Sequence, residues 1–270
     1  MAPIYDAYAA VYDAIGQGRF SARLAGWVLQ WLAARGVHPT RVLDLACGAG
    51  DAALVFAAAG CTVVGVDRAW RMLEIARGKA RDAGYAIAFV EGDIRDLSVV
   101  SGQWLVATDP EQRTTNNGQR TFCDLATCFY DSLNYLIDDG DLDRVFAGVA
   151  AALRPGGYLI FDINTAAEYA TWDERTVATY DGRDCLVYNR LSYDPDTRLG
   201  VGRIVWFVRE IERWWRGEET HTERAWSDAE IGAGLARTGL ALTARLAPDG
   251  TPAADDAPRV MYVVRRMHGK

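Results

Sequence analysis

The chain has 270 residues, half of them hydrophobic, enough to bury one sizeable core with a small insertion but hardly two large domains. A net charge of −7 and a pI near 5.1 remove the electrostatic reason to bind nucleic acid, whose recognition normally requires a basic face. No run of about 18 apolar residues occurs, and the N-terminus lacks a basic stretch followed by an apolar one, so neither a membrane span nor a secretion signal is expected.

In chain order, the first helical pattern runs from Phe20 to Arg35. Phe20, Leu24, Trp27, Val28, Trp31 and Leu32 share one face, and the pattern stops before Gly36 and Pro39. This helix is expected to cover a sheet. From Arg41 onward, strand-like and helical stretches alternate at 41–46, 51–59, 62–66, 69–83, 86–90, 122–128, 141–153 and 157–163. Repeated βαβ units predict a doubly wound, mostly parallel α/β sheet of Rossmann-like type. Leu240 to Leu246 and Arg259 to Arg266 read as two further strands, joined by a Pro-, Ala- and Asp-rich segment at 247–258.

Two stretches interrupt the alternation. Residues 98–121 are polar and read as a long hairpin or mobile loop. Residues 166–226 alternate apolar and polar positions, as in Cys185 to Tyr188 and Ile204 to Val208, and are broken by Asp181-Gly182 and by Asp194-Pro195-Asp196-Thr197. They predict an inserted antiparallel β-sheet after the fifth strand. There it would stand over the carboxyl ends of the parallel strands, where open α/β sheets bind ligands, as a substrate lid or a dimer surface. The expected division is a helical cap at 1–40, a nucleotide-binding domain at 41–165 and 227–270, and the inserted subdomain at 166–226.

The most informative run is Val42 to Asp51, followed by Gly65-Val66-Asp67. Gly48 and Gly50 fall in a strand-to-helix turn, where a missing Cβ lets backbone approach a ligand and the helix N-terminus offers free N–H groups. Asp67 falls at the carboxyl end of the neighbouring strand, where a ribose diol would lie; the alternative is a cap on the helix that begins near Ala69. With Ala53 the glycines also fit G-x-G-x-x-A, so spacing alone leaves a nicotinamide or flavin dinucleotide open. Asp44 weighs against it. A carboxylate just before the turn repels a pyrophosphate but suits a ligand that carries an ammonium group, as S-adenosylmethionine does.

Asp44 with Cys47-Gly48-Ala49-Gly50, then Asp67, then Gly92-Asp93 stand in the order of three motifs of a known family. Residues 41 to about 165 resemble the class I S-adenosylmethionine-dependent methyltransferases. With Tyr5-Asp6, Tyr12-Asp13, the run Phe129 to Leu136 and Leu153 to Gly157, the layout is similar to small-molecule members with an inserted β-sheet, including sugar-amine and glycine-type N-methyltransferases. The resemblance implies a seven-stranded sheet whose closing pair supplies an antiparallel edge. It also implies S-adenosylmethionine as cofactor, held by Tyr12, Asp44, Ala46, Gly48, Gly50, Asp67, Arg68, Met72, Asp93, Ile94 and Cys128. Asp93 and Ile94 match the adenine site, with a solvated turn carboxylate as the alternative for Asp93. Arg68 departs from the small or acidic residue usual there, and Trp70 replaces a common serine, to stack on the adenine or to fill a groove.

Aromatic walls attract a sulfonium and a cationic amine. Tyr5, Tyr12, Phe129, Tyr130, Tyr169 and Trp172 are candidates for the pocket, with core packing the alternative for each. The resemblance adds Asn134, Asn164 and Arg224 to Tyr5, Phe129, Tyr169 and Trp172 around the methyl acceptor. His221 lies in a run where the resembling family carries a His and Arg before an aromatic residue. With Tyr130 it is the expected catalytic pair, as a group able to take a proton near neutral pH; the alternative is a packing histidine. No HxH, HExxH or Cys/His cluster occurs, so no metal is expected. The five cysteines, at 47, 61, 123, 128 and 185, give no paired CxxC spacing and read as reduced thiols of a cytoplasmic protein. The expected activity is methyl transfer to nitrogen, or to oxygen, of a small molecule, with a homodimer as the candidate assembly. The competing classes are a nicotinamide-dependent oxidoreductase and a non-catalytic cofactor-binding partner subunit.

Overall fold

The computed structural model of the protein describes residues 4–100 and 123–267. Two helices, α1 (Ala9–Ala14) and α2 (Arg19–Ala33), lead into β1 (Arg41–Leu45), α3 (Asp51–Ala58), β2 (Thr62–Asp67), α4 (Trp70–Asp82) and β3 (Ala88–Glu91). The alternation continues with β4 (Cys123–Cys128), α5 (Asp141–Ala152) and β5 (Leu153–Asn164). After the short α6 (Ala166–Tyr169) come four strands, β6 (Arg175–Asp181), β7 (Cys185–Asp194), β8 (Leu199–Glu210) and β9 (Arg213–Arg224). The chain then returns through α7 (Asp228–Arg237), β10 (Leu240–Leu246) and β11 (Arg259–Arg266). The polar stretch expected as a loop at 98–121 lies, from residue 101 on, outside the described residues.

The main sheet has seven strands in the order β3-β2-β1-β4-β5-β11-β10. The first five pair in parallel, and β11 runs antiparallel to both β5 and β10. Strands covered on both faces need apolar residues at successive positions, and β1 shows why its sequence is a continuous apolar run. Val42 points into the layer of α2, α3 and α4, whereas Leu43 and Leu45 point into the layer of α5 and α7. Each such side chain contributes roughly 1.5–3 kcal/mol by leaving water. The helix α2 buries Leu24, Val28 and Leu32, one turn apart, against α3 and the sheet.

β5 begins earlier than the 157–163 expected. Leu153 pairs with Cys123, the register slips, and pairing resumes at Leu125 with Tyr158. The slip accommodates Pro155, which cannot donate to the ladder, and Gly156, which adopts φ +77.

The four strands of the insertion form a separate antiparallel sheet in the order β6-β7-β8-β9. Its inner face carries Val187 and Trp206, which pack on Tyr8, Val11 and Tyr12 of the α1 region and on Ala49, Ala69 and Met72. Since Ala49 and Ala69 follow β1 and β2, the inserted sheet lies beyond the carboxyl ends of the parallel strands. At its other end Ile211, Trp214 and Trp215 are exposed.

Candidate functional site

A cleft enclosing about 950 Å³, part of it open to solvent, lies at those carboxyl ends. One side is made of the turn from Ala46 to Ala49, the pair Asp67 and Arg68, Met72, and the loop from Gly92 to Arg95. The other side is aromatic, with Tyr5, Tyr12, Phe129, Tyr130 and Tyr135.

The turn after β1 is tight because Ala46, Gly48 and Gly50 all adopt left-handed backbone, at φ +50, +53 and +79. For Ala46 this conformation costs on the order of 1 kcal/mol. The two glycines differ in purpose. A Cβ at Gly48 would meet only the end of the Met72 side chain, at 3.4 Å, so its backbone is open to the cleft. At Gly50 a Cβ would come within 2.9 Å of Ala76 Cβ and 3.0 Å of Phe89. Gly50 does not line the cleft; it lets α3 start tightly against α4 and β3.

Asp44 sits beneath this turn and is almost wholly buried. Thr127 Oγ1 donates to its Oδ1 over 2.8 Å, while Oδ2 is buried with no hydrogen-bond partner. Burial pushes its carboxyl up to about 7 against the Thr127 bond. An orphaned buried carboxylate oxygen is costly, and a cationic ligand group would relieve it. Asp67 accepts from Gly48 N at 2.7 Å and from Ala69 N at 2.8 Å, so the carboxylate ties the end of β2 to the glycine turn and orders the chain entering α4. Burial raises it in spite of those bonds.

Asp93 lines the cleft but is engaged by its neighbour: the Arg95 guanidinium and backbone N–H bond it at 2.6–2.9 Å, and the guanidinium holds its carboxyl below the ordinary value. Ile94 and Arg68 lie beside it on the cleft wall. Trp70 neither stacks there nor fills a groove. It is largely exposed at the start of α4, with the Arg71 guanidinium over its ring at 4.8 Å.

On the aromatic side, Tyr5 Oη lies 2.9 Å from Tyr135 Oη, and Tyr135 Oη lies 2.8 Å from His221 Nδ1. His221 Nε2 is 3.2 Å from Glu219 Oε2. Burial pushes the Tyr5, Tyr12 and Tyr135 phenols well above their ordinary value and Tyr130 up to about 12. Tyr130 lines the cleft in a left-handed conformation, φ +63, set by Asp162, which accepts its backbone N–H at 2.8 Å.

Several expected contact residues stand behind the wall. Cys128 is enclosed in the sheet between Leu45 of β1 and Phe161 of β5. Asn134 donates to Asn164 O at 3.0 Å and Arg224 O at 2.8 Å, and accepts from Asn164 N at 3.0 Å. It thus stitches the turn after β4 to the ends of β5 and β9, with Asn164 taking part through its backbone. Tyr169 donates to Glu223 Oε2 at 2.6 Å, and Trp172 to Glu168 at 3.3 Å, both beneath the inserted sheet. The Arg224 guanidinium bonds Ile137 O, Asp139 and Glu230 and covers the Trp226 ring at 3.9 Å. His221 is buried, with both ring nitrogens partnered, so it reaches the cleft only through Tyr135.

Four residues that sequence reading did not single out belong to this wall. Glu219, His221 and Glu223 share one face of β9, as strand alternation requires, and that period-two spacing was the available signal. Glu223 is buried and pushed up to about 8, first by burial and then by Asp131. Arg259 answers part of this charge, bonding Asp162 at 2.5 Å and Asp131 at 2.6 Å. Tyr135 closes the set. Among the described residues no three His, Cys, Asp or Glu side chains converge as a metal site.

Residues 42–112 match the family described as a methyltransferase domain. A putative methyltransferase, YqeM, of Bacillus subtilis is 27% identical over 240 residues, 88% of this chain and 87% of that protein. A solved S-adenosylmethionine-dependent methyltransferase from Clostridium acetobutylicum superimposes with a TM-score of 0.79 at 24% identity, covering 98% of this chain and 100% of that one. CalS10 from Micromonospora echinaspora, an amino pentose methyltransferase solved with S-adenosylmethionine bound, gives a TM-score of 0.70 at 20% identity over 95% of this chain and 97% of that one. Sheet order, glycine turn and strand-end acids define a Rossmann-like nucleotide-binding protein. With these matches, residues 42–112 are a methyltransferase domain in a chain with the fold of S-adenosylmethionine-dependent methyltransferases, and the choice between cofactor classes left open by the glycine spacing falls to S-adenosylmethionine. The residues fit that cofactor on two counts, the partnerless Asp44 oxygen and the open backbone at Gly48.

Proposed function

We propose that the enzyme methylates an amine nitrogen of a small molecule, with a hydroxyl as the second reading. The observation that carries this is the composition of the acceptor wall: tyrosines in front, and behind them the carboxylates of Asp131 and Asp162 sharing the Arg259 guanidinium, beside a Glu223 that burial holds largely protonated. Aromatic faces and surplus negative charge attract an amine before it sheds its proton. The fold neighbour that acts on an amino pentose is consistent with such an acceptor.

In this reading Asp67 takes the ribose hydroxyls, Asp93 and Ile94 flank the adenine, and Asp44 answers the ammonium group through the glycine turn. The bound cofactor supplies an electrophilic methyl. The protein's part is to exclude water and aim the nucleophile, since in-line displacement gains most from orientation. The inserted sheet roofs the acceptor side, and its exposed Ile211, Trp214 and Trp215 support a further role in self-association. Five free thiols suit a reducing cytoplasm.

Incubation with methyl-labelled S-adenosylmethionine and a fractionated metabolite extract tests the assignment. Label should enter a small amine, with fragmentation placing it on nitrogen. Label found only on protein or nucleic acid would contradict a small acceptor; no transfer to any fraction would favour a non-catalytic subunit.

A further inference from the structure

Tyr135 lies on the cleft wall and His221 lies buried behind it, so the hydrogen-bonded chain Tyr5, Tyr135, His221, Glu219 runs from the cleft inward. Its direction follows from the inner end. Burial pushes Glu219 up, but the hydrogen bond from His221 and the backbone N–H groups of Tyr5 and Tyr8 outweigh it and hold the carboxyl below its ordinary value. Glu219 is therefore ionised at neutral pH and only accepts. In the neutral imidazole the hydrogen then sits on Nε2, facing Glu219, and Nδ1 is a bare lone pair. The Glu223 carboxyl is also within reach of Tyr135, but burial holds it largely protonated and Tyr169 already donates to it, so Tyr135 places its one hydrogen on Nδ1. Its oxygen is left to accept, once from Tyr5 and once more from whatever stands in the cleft.

We propose that Tyr135 is the acceptor-facing catalytic residue, whose oxygen takes a hydrogen bond from the N–H or O–H of the atom being methylated, while His221 and Glu219 are positioning residues that keep it accepting. This rests on the reading of a small methyl acceptor in this cleft. The chain can also carry off the proton of the reaction. The nucleophile's lone pair forms the new bond to the methyl carbon as the sulfur–methyl bond breaks, leaving neutral S-adenosylhomocysteine and a positively charged product. That product's N–H or O–H passes its proton to Tyr135 oxygen, Tyr135 passes its own to His221 Nδ1, and the imidazolium rests against the Glu219 carboxylate. The same carboxylate accepts the backbone N–H groups of Tyr5, Ala7 and Tyr8 at 2.8–3.1 Å. The N-terminal segment thus helps fix the inner end of the relay.

Sinefungin tests this without knowledge of the natural acceptor. It is an analogue of the cofactor in which a carbon bearing a protonated amine replaces the methylsulfonium, so it puts an N–H donor where the methyl would be; S-adenosylhomocysteine has nothing there. The preference for sinefungin over S-adenosylhomocysteine should fall about tenfold or more from wild type to Tyr135→Phe, the scale of one hydrogen bond to a charged group. Affinity for S-adenosylhomocysteine itself should hold. An unchanged preference with intact S-adenosylhomocysteine binding would overturn the proposal and leave the cofactor assignment standing. Absence of S-adenosylhomocysteine binding in the wild type would overturn both. Should Tyr135→Phe fail to fold, nitrogen NMR of labelled histidine in the wild type decides, with His221 among only three histidines identified by its loss in His221→Gln. At about pH 8, above the usual imidazole range, the Nε2–H form is expected; the Nδ1–H form or a doubly protonated ring would overturn the proposal.

Discussion

The two walls of the cleft are built on different principles. The cofactor wall is local: Gly48, Asp67 and Asp93, with Asp44 beneath the glycine turn, come from successive units of one β-α-β-α-β segment, each at or just beyond the end of a strand. The acceptor wall is assembled from side chains far apart in the chain. Tyr5 meets Tyr135 across 130 residues, Tyr135 meets His221 across 86, and Glu219 reaches the backbone of Tyr5 across 214. A wall made of strand ends keeps its chemistry as long as the sheet forms, whereas a wall made of distant side chains can change its ligand by changing one of them.

The widest separation between the walls should follow from excising the inserted sheet in favour of a short glycine-serine linker. Methyl transfer to the extract fractions used by the wild type should fall to background, while S-adenosylhomocysteine still binds, weakened by the loosening of Tyr5 and Tyr12. Surviving turnover would make the sheet an assembly surface and not a wall. Next in size is Asp67→Ala, which removes the acceptor for Gly48 N and Ala69 N along with the ribose contact. Calorimetry should show S-adenosylhomocysteine binding weakened by roughly 1.5–3 kcal/mol, the value of hydrogen bonds to a charged group. A loss well below that would mean the ribose sits elsewhere.

The smallest effect is one of pH. The folded Asp44 carboxyl titrates near about 7, against about 3.9 in an unfolded chain. Between those values the folded state holds the extra proton, so this group's contribution to stability is full below the window, declines as pH rises through it, and levels off above. Cation binding at Asp44 demands the ionised form. Affinity for S-adenosylmethionine should therefore rise towards pH 7, by at most about tenfold per unit, and Asp44→Asn should flatten the rise. A flat profile in the wild type would remove Asp44 from the cofactor wall.

The same contrast explains what the sequence made legible. Strand periodicity and glycine spacing place β1, the turn, β2 and their acids, because each position follows from its neighbours. Even there Gly50 turned inward, since its contacts with Ala76 and Phe89 depend on how α4 and β3 pack. On the acceptor side, the resemblance names Asn134 and Arg224, but their bonds go to backbone and carboxylates that only the fold brings near. Tyr135 looked like one more aromatic in an apolar run. Its use depends on His221, which β9 delivers from the inserted sheet. The early start of β5 was hidden by Pro155 and Gly156, normal signs of a loop that here sit at a register slip.

The central claim is that the turn after β1 holds S-adenosylmethionine. Calorimetric titration of the wild-type protein with S-adenosylmethionine and, separately, with NAD tests it most directly. One saturable site for S-adenosylmethionine with a Kd on the order of micromolar is expected, corresponding to about 8 kcal/mol; saturable NAD binding with none of S-adenosylmethionine would contradict it.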